Sequence, residues 1–139
     1  MDGKEDQAAK TLYEEAIKSG DCVADAYCNL GIIESQSGNS SGAINCFTSS
    51  LKSDPRHFEA HYNLANIYSD AGSYALAQTH YEVASEIEPD FPNIYFNLAL
   101  VCALRENLEV AIVNLKRYLE LIPEKDIEAE ELLQSLGGS

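Results

Sequence analysis

His57 and His61 stand four apart in Arg56-His57-Phe58-Glu59-Ala60-His61, a spacing that puts two imidazoles on one helix face, where they could share a metal ion. A metal needs at least one further ligand, and no glutamate directly follows the first histidine as in the HExxH zinc signature. The pair is therefore read as structural, with His57 exposed and no metal bound. His80 is isolated and reads as a surface residue. Cys22, Cys28, Cys46 and Cys102 show no CxxC pairing, and a cysteine nucleophile would need a base and an orienting group close by. No glycine-rich loop follows a strand to cradle phosphate. No catalytic residue and no cofactor are expected. The chemistry that recurs is amide chemistry: Cys28-Asn29-Leu30, Tyr62-Asn63-Leu64 and Phe96-Asn97-Leu98 stand 34 residues apart, and each asparagine presents both a donor and an acceptor.

The same period runs through the rest of the chain. When windows 24–57, 58–91 and 92–125 are aligned, Leu30, Leu64 and Leu98 coincide, followed by the small residues Gly31, Ala65 and Ala99. Ala43, Ala77 and Ala111 coincide, then the bulky Phe47, Tyr81 and Leu115, and Pro55, Pro89 and Pro123 close the windows. A fixed period of this length marks stacked supersecondary units. Apolar residues at spacings of three and four predict two amphipathic helices per window. Gly38 and Gly72 supply the turn between them, and the prolines end the second helix. In the third window Glu106-Asn107 replaces the turn glycine, and the tolerance of asparagine for positive φ is expected to preserve the turn. Residues 5–19 read as a second helix without its first, and 126–136 as an acidic amphipathic helix capping the stack. A chain opening midway through a repeat reads as a piece of a longer array.

This pattern resembles the tetratricopeptide repeat (TPR) family, and the resemblance covers almost the whole chain. The middle window carries Leu64, Ala65, Tyr68, Gly72, Tyr74, Ala77, Tyr81, Ala84 and Pro89 where that family expects them. The resemblance implies an all-α, right-handed superhelical solenoid of antiparallel helix pairs in one domain spanning 1–139: three full repeats, an N-terminal half repeat and a C-terminal cap. It also implies that the first helix of each pair lines a concave groove. Carried over position by position, the groove would take Asp25, Cys28, Asn29, Ile32, Ser35 and Gln36 from the first repeat. The second would give Glu59, Tyr62, Asn63, Asn66, Ser69 and Asp70, and the third Asn93, Phe96, Asn97, Leu100, Ala103 and Leu104. Asn29, Asn63 and Asn97 would then form a ladder pairing with the backbone of an extended peptide, reading backbone rather than sequence. Such a ladder resembles the one in the repeat region of O-linked N-acetylglucosamine transferases. Phe96, Leu100 and Leu104, spaced by four, make an apolar stripe on the same helix, open to a ligand or to coverage by the terminal helix.

Charge narrows the partners. The net charge is −14, and nine Lys and Arg residues are spread along the chain. Nucleic acid, which requires clustered basic residues, is an unsuitable partner, as is an anionic membrane. The apolar run from Leu98 to Leu104 is far shorter than the roughly 20 residues a bilayer-spanning helix needs. Unpaired cysteines in a helical repeat chain fit a reducing, cytoplasmic setting. Family members that bind the C-terminal carboxylate of Hsp70 or Hsp90 resemble one another in a clamp of Lys, Asn, Asn, Lys and Arg. Here the matching positions hold Cys28, Ile32, Asn63, Asn93 and Asn97, so that ligand is not expected. The resulting expectation is a non-catalytic scaffold holding an extended or helical peptide, neutral to basic and partly apolar. The alternatives are a substrate-recognition array of a larger enzyme such as a glycosyltransferase, or a self-assembling homo-oligomeric scaffold.

Overall fold

The computed structural model describes residues 3–138, and the described residues contain eight α-helices and no strand. They are α1 (Gly3–Ser19), α2 (Val23–Gln36), α3 (Ser40–Ser53), α4 (Phe58–Asp70), α5 (Tyr74–Ile87), α6 (Pro92–Leu104), α7 (Leu108–Leu121) and α8 (Ile127–Ser135). The chain divides into two compact units, the first ending at Ile67 and the second beginning at Tyr68.

In the first unit α1 packs on α2, and α2 packs on α3. The apolar spacing of α3 places Ala43, Phe47 and Ser50 on one buried face. Gly31 lets α2 approach closely: a Cβ there would lie 2.7–2.9 Å from atoms of the Phe47 ring. Ser50 is fully buried and donates its hydroxyl proton to the Ala24 carbonyl at 2.7 Å, pinning the end of α3 to the first turn of α2. A buried hydroxyl without such a partner would be costly. At the other end of the pair, Lys10 of α1 meets Glu34 of α2 at 3.0 Å. The second oxygen of Glu34 accepts from the Asn39 amide at 2.7 Å. Asn39 in turn caps α3 by accepting from the Gly42 N–H at 3.1 Å. The Lys10 ammonium and then the Asn39 amide hold the Glu34 carboxyl below its usual range.

In the second unit α5 packs on α6, α6 on α7, and α7 on α8. Tyr81 and Leu115 occupy the place that Phe47 holds in α3, and both are buried. The Arg105 guanidinium donates to Gln78 at 2.6 Å, and the Tyr95 hydroxyl donates to the Pro89 carbonyl at 2.6 Å. Helix α8 closes this unit: Ala99, Leu115 and Ala129 form a buried cluster flanked by Phe96, Tyr118, Leu119, Leu132, Leu133 and Leu136. Asp126 caps α8 by accepting from the Ala129 N–H at 3.0 Å, while its other oxygen accepts from the Tyr118 hydroxyl at 2.7 Å. That hydroxyl, then the Ala129 amide, holds the Asp126 carboxyl below its ordinary value. Tyr118 is pushed up, first by the same hydrogen bond to Asp126.

The turn in the third window keeps its shape by a different route from the one expected. Glu106, not Asn107, takes the left-handed conformation: its φ is 62°, against 83° at Gly38 and 80° at Gly72, whereas Asn107 has φ −94°. The reason is register, since Glu106 stands 34 residues after Gly72 and inherits its backbone geometry. A side chain there is strained by contact between Cβ and the backbone. Glu106→Gly is expected to stabilise the chain by about 0.5–1 kcal/mol, relief of strain outweighing the extra unfolded-state freedom of glycine. Thermal unfolding followed by circular dichroism should show a melting temperature about 2–4 °C higher. An unchanged or lower value would contradict the strain argument.

Candidate functional site

The residues expected to line a groove fall on α2, α4 and α6, and each unit carries its own set. In the first unit α2 presents Asp25, exposed in its first turn, and Asn29, half-buried one turn later. Facing them are His57, just before α4, and Glu59 in its first turn. Together with Cys28 these residues line a cavity of about 240 Å³. His57 is not exposed as the sequence reading held: only 10% of its side-chain surface is accessible. Its Nδ1 accepts from the Ala60 N–H at 3.2 Å, capping α4. An imidazole whose Nδ1 accepts carries its proton on Nε2, and that nitrogen donates to Asp25 Oδ1 at 2.7 Å. The histidine is thus spent on a helix cap and on orienting a carboxylate. His61 is buried, with Nε2 at 2.9 Å from the Pro55 carbonyl.

The asparagines differ from one another. Asn63 turns one amide proton back to the Glu59 carbonyl of its own helix at 2.7 Å, so one of its donors is already used within α4. Asn29 lines the cavity beside Asp25. Asn97 is half-buried on α6. Tyr62 and Asn66 are half-buried on α4, and the Tyr62 ring stacks on Phe58 with centroids 6.0 Å apart. Asp70 is exposed at the end of α4.

The apolar stripe of the second unit is divided. Phe96 leans on the Tyr118 ring at 5.1 Å and joins the cluster under α8, so the terminal helix accounts for it. Leu100 and Leu104 remain 37% and 59% exposed on the same helix as Asn97. Near α8, Tyr118, Ile122, Asp126 and their neighbours line a larger hollow of about 480 Å³, where the polar groups of Tyr118 and Asp126 are committed to the cap described above.

Nucleophilic chemistry finds little support. Burial, reinforced by the fields of Glu59 and Asp25, pushes the Cys28 thiol up to about 12. Cys46 and Cys102 are also raised, chiefly by burial. A thiol kept protonated is a poor nucleophile and a poor metal ligand. Among the described residues, no group of three His, Cys, Asp or Glu side chains could hold a metal ion. No helix of the described residues is long and apolar enough to cross a membrane.

Sequence reasoning put Cys28 at a groove position but missed His57 as a cavity residue. The available signal was the pairing of Asp25 with a histidine at the mouth of the next repeat's first helix, two positions before Glu59. It was hidden because the partners are 32 residues apart.

Profiles of the tetratricopeptide repeat match residues 24–57 and 46–79, and a TPR repeat profile matches residues 65–104. The crystal structure of MamA is similar with a TM-score of 0.82 at 18% identity, over 96% of this chain and 77% of that one. The N-terminal domain of stress-induced protein-1 (STI-1) from C. elegans gives a TM-score of 0.73 at 17% identity, over 83% of this chain and 94% of that one. The first TPR of Spaghetti (RPAP3), solved bound to the HSP90 peptide SRMEEVD, gives 0.71 at 24% identity, over 82% of this chain and 92% of that one. At such identities the likeness is one of fold. No curated protein sequence matches significantly.

Proposed function

Because this chain belongs to the tetratricopeptide repeat family, we propose that it is a non-catalytic protein-interaction scaffold whose first helices hold an extended or helical segment of another protein. The observation that carries this reading is the exposure of Leu100 and Leu104 beside Asn97. Helix α8 covers Phe96, yet these two leucines keep no interior role on a helix that is otherwise apolar around its circumference. Exposed apolar side chains grouped beside polar ones mark interaction surfaces. In the first unit Asn29 and Asn63 supply polar contacts to a peptide backbone, with Tyr62 and Asn66 beside them and Asp25 and Glu59 setting a negative field. In the second, Asn97, Leu100 and Leu104 do the same, with Asp70 adding charge. Phe96 supports that surface from beneath and is a weaker anchor than its spacing implied. Four free thiols support a reducing, cytoplasmic setting.

Peptides selected on the folded chain from a displayed random library test the reading. Leu104→Ser is expected to weaken their binding by about 2 kcal/mol, roughly thirty-fold, and Asn97→Ala by about 1 kcal/mol. Selected peptides that bind both variants as tightly as the parent would overturn it.

The bound peptide of the Spaghetti domain ends in an acidic stretch. Here the positions matching a carboxylate clamp hold Cys28, Ile32, Asn63, Asn93 and Asn97, none of them basic, and Cys28 is buried. Without a charge-assisted donor, a terminal carboxylate has no strong partner. The peptide SRMEEVD is therefore expected to bind no tighter than about 1 mM, a free energy near −4 kcal/mol. Micromolar affinity in isothermal titration would contradict this.

A further inference from the structure

The cavity of the first unit has a composition that a backbone-binding surface alone does not need. Its lining residues, Asp25, Cys28, Asn29, His57 and Glu59, include two carboxylates and neither a lysine nor an arginine. One carboxylate is held in place: the His57 Nε2–H bond fixes Asp25 Oδ1 at 2.7 Å and leaves Oδ2 to accept from elsewhere. Glu59 is exposed at the rim. Beneath them Cys28 is only 1% exposed, lines the cavity, and makes no hydrogen bond to a described residue. Both carboxylates add to burial in pushing its thiol up to about 12, as expected of a negative potential inside the cavity.

We infer that this cavity seats one basic side chain of the partner peptide, arginine foremost, an assignment that rests on the peptide-binding reading above. A guanidinium presents five N–H donors in one plane and meets carboxylates in a forked geometry. Asp25 Oδ2, the Glu59 carboxylate and the Asn29 side-chain oxygen are the acceptors that receive it. The space, about 240 Å³, takes a guanidinium with part of its stem and excludes a whole folded element. The helix cap on Ala60 and the bond to Asp25 make His57 a positioning residue for this seat. A peptide threading past Asn29 and Asn63 would thus be read for backbone by the amides and for one cation by the cavity.

The test is an NMR titration of the isotopically labelled chain with two peptides, acetyl-Ala-Ala-Arg-Ala-Ala-amide and the same peptide with citrulline for arginine. Citrulline keeps the shape and removes the charge. The arginine peptide is expected to shift the amide signals of residues 25–29 and 57–59 saturably, with the citrulline peptide at least ten-fold weaker. In the variant Asp25→Asn/Glu59→Gln the preference for arginine should vanish. Asparagine still accepts from His57, so the fold and the α4 cap should persist by circular dichroism. Equal binding of the two peptides would overturn the cation seat while leaving the peptide-binding reading in place. So would an arginine preference that survives in the double variant. No response to either peptide also rejects the seat, and the library selection then decides the peptide-binding reading separately. Agmatine, a guanidinium without a peptide backbone, binding as tightly as the arginine peptide would reassign the cavity to small amines and overturn the assignment to a peptide.

Discussion

Replacing Phe47 by alanine is expected to destabilise the chain by about 3–5 kcal/mol, the range for removing a fully buried aromatic side chain. Phe47 is 0% exposed, and its ring lies so close to the α2 backbone that even a Cβ on Gly31 would collide with it. Truncation leaves a hole between two helix backbones, whose collapse the Ser50–Ala24 bond at 2.7 Å opposes. A domain of this size has about 5–15 kcal/mol of stability in all, so the loss is a large share. Urea unfolding followed by circular dichroism measures it, and a loss below about 1 kcal/mol would show that the α2–α3 contact is not central. The same contact predicts a coupling. Gly31→Ala alone should cost about 1–3 kcal/mol through overpacking, and much less in a Phe47→Leu background, where the ring atoms it strikes are gone.

Leu115→Ala is the counterpart in the second unit, with an expected loss of about 2–5 kcal/mol. Leu115 is 0% exposed and sits with Ala99 and Ala129 at the centre of the cluster that holds α8. Its removal withdraws support from Leu132, Leu133 and Leu136, so the amides of α8 should exchange with solvent faster than those of α7. Val113 lies on the same helix but is 66% exposed. Val113→Ala should change stability by less than about 0.5 kcal/mol. Comparable losses for the two substitutions would mean that burial is not what holds α7 in place.

Much of this was legible in the residues. The period of 34 and the coincidence of Phe47, Tyr81 and Leu115 marked the buried positions, because close helix packing fixes residue size at the crossing. The all-α fold follows from the same spacings. The less legible features depend on contacts distant in sequence or on local competition. His57 lost its exposure to a partner 32 residues away. Phe96, indistinguishable from Leu100 and Leu104 by spacing, is taken up by Tyr118 and α8, whose position no period announces. Asn63 shares its period with Asn29, yet its amide returns to Glu59 because a helix always presents a carbonyl four residues back. In the third turn the chain keeps the glycine's backbone angle and places a glutamate there, so register prevailed over residue preference.

The most direct measurement of the central claim, that the first helices form a peptide-binding surface, is a comparative pull-down from host extract. The parent chain would be set beside Asn29→Ala/Asn63→Ala/Asn97→Ala and beside Leu100→Ser/Leu104→Ser, with circular dichroism verifying that all three fold. The account predicts a partner captured by the parent and lost or strongly depleted in both variants. A partner retained equally by all three would contradict it, placing the binding surface outside these helix faces.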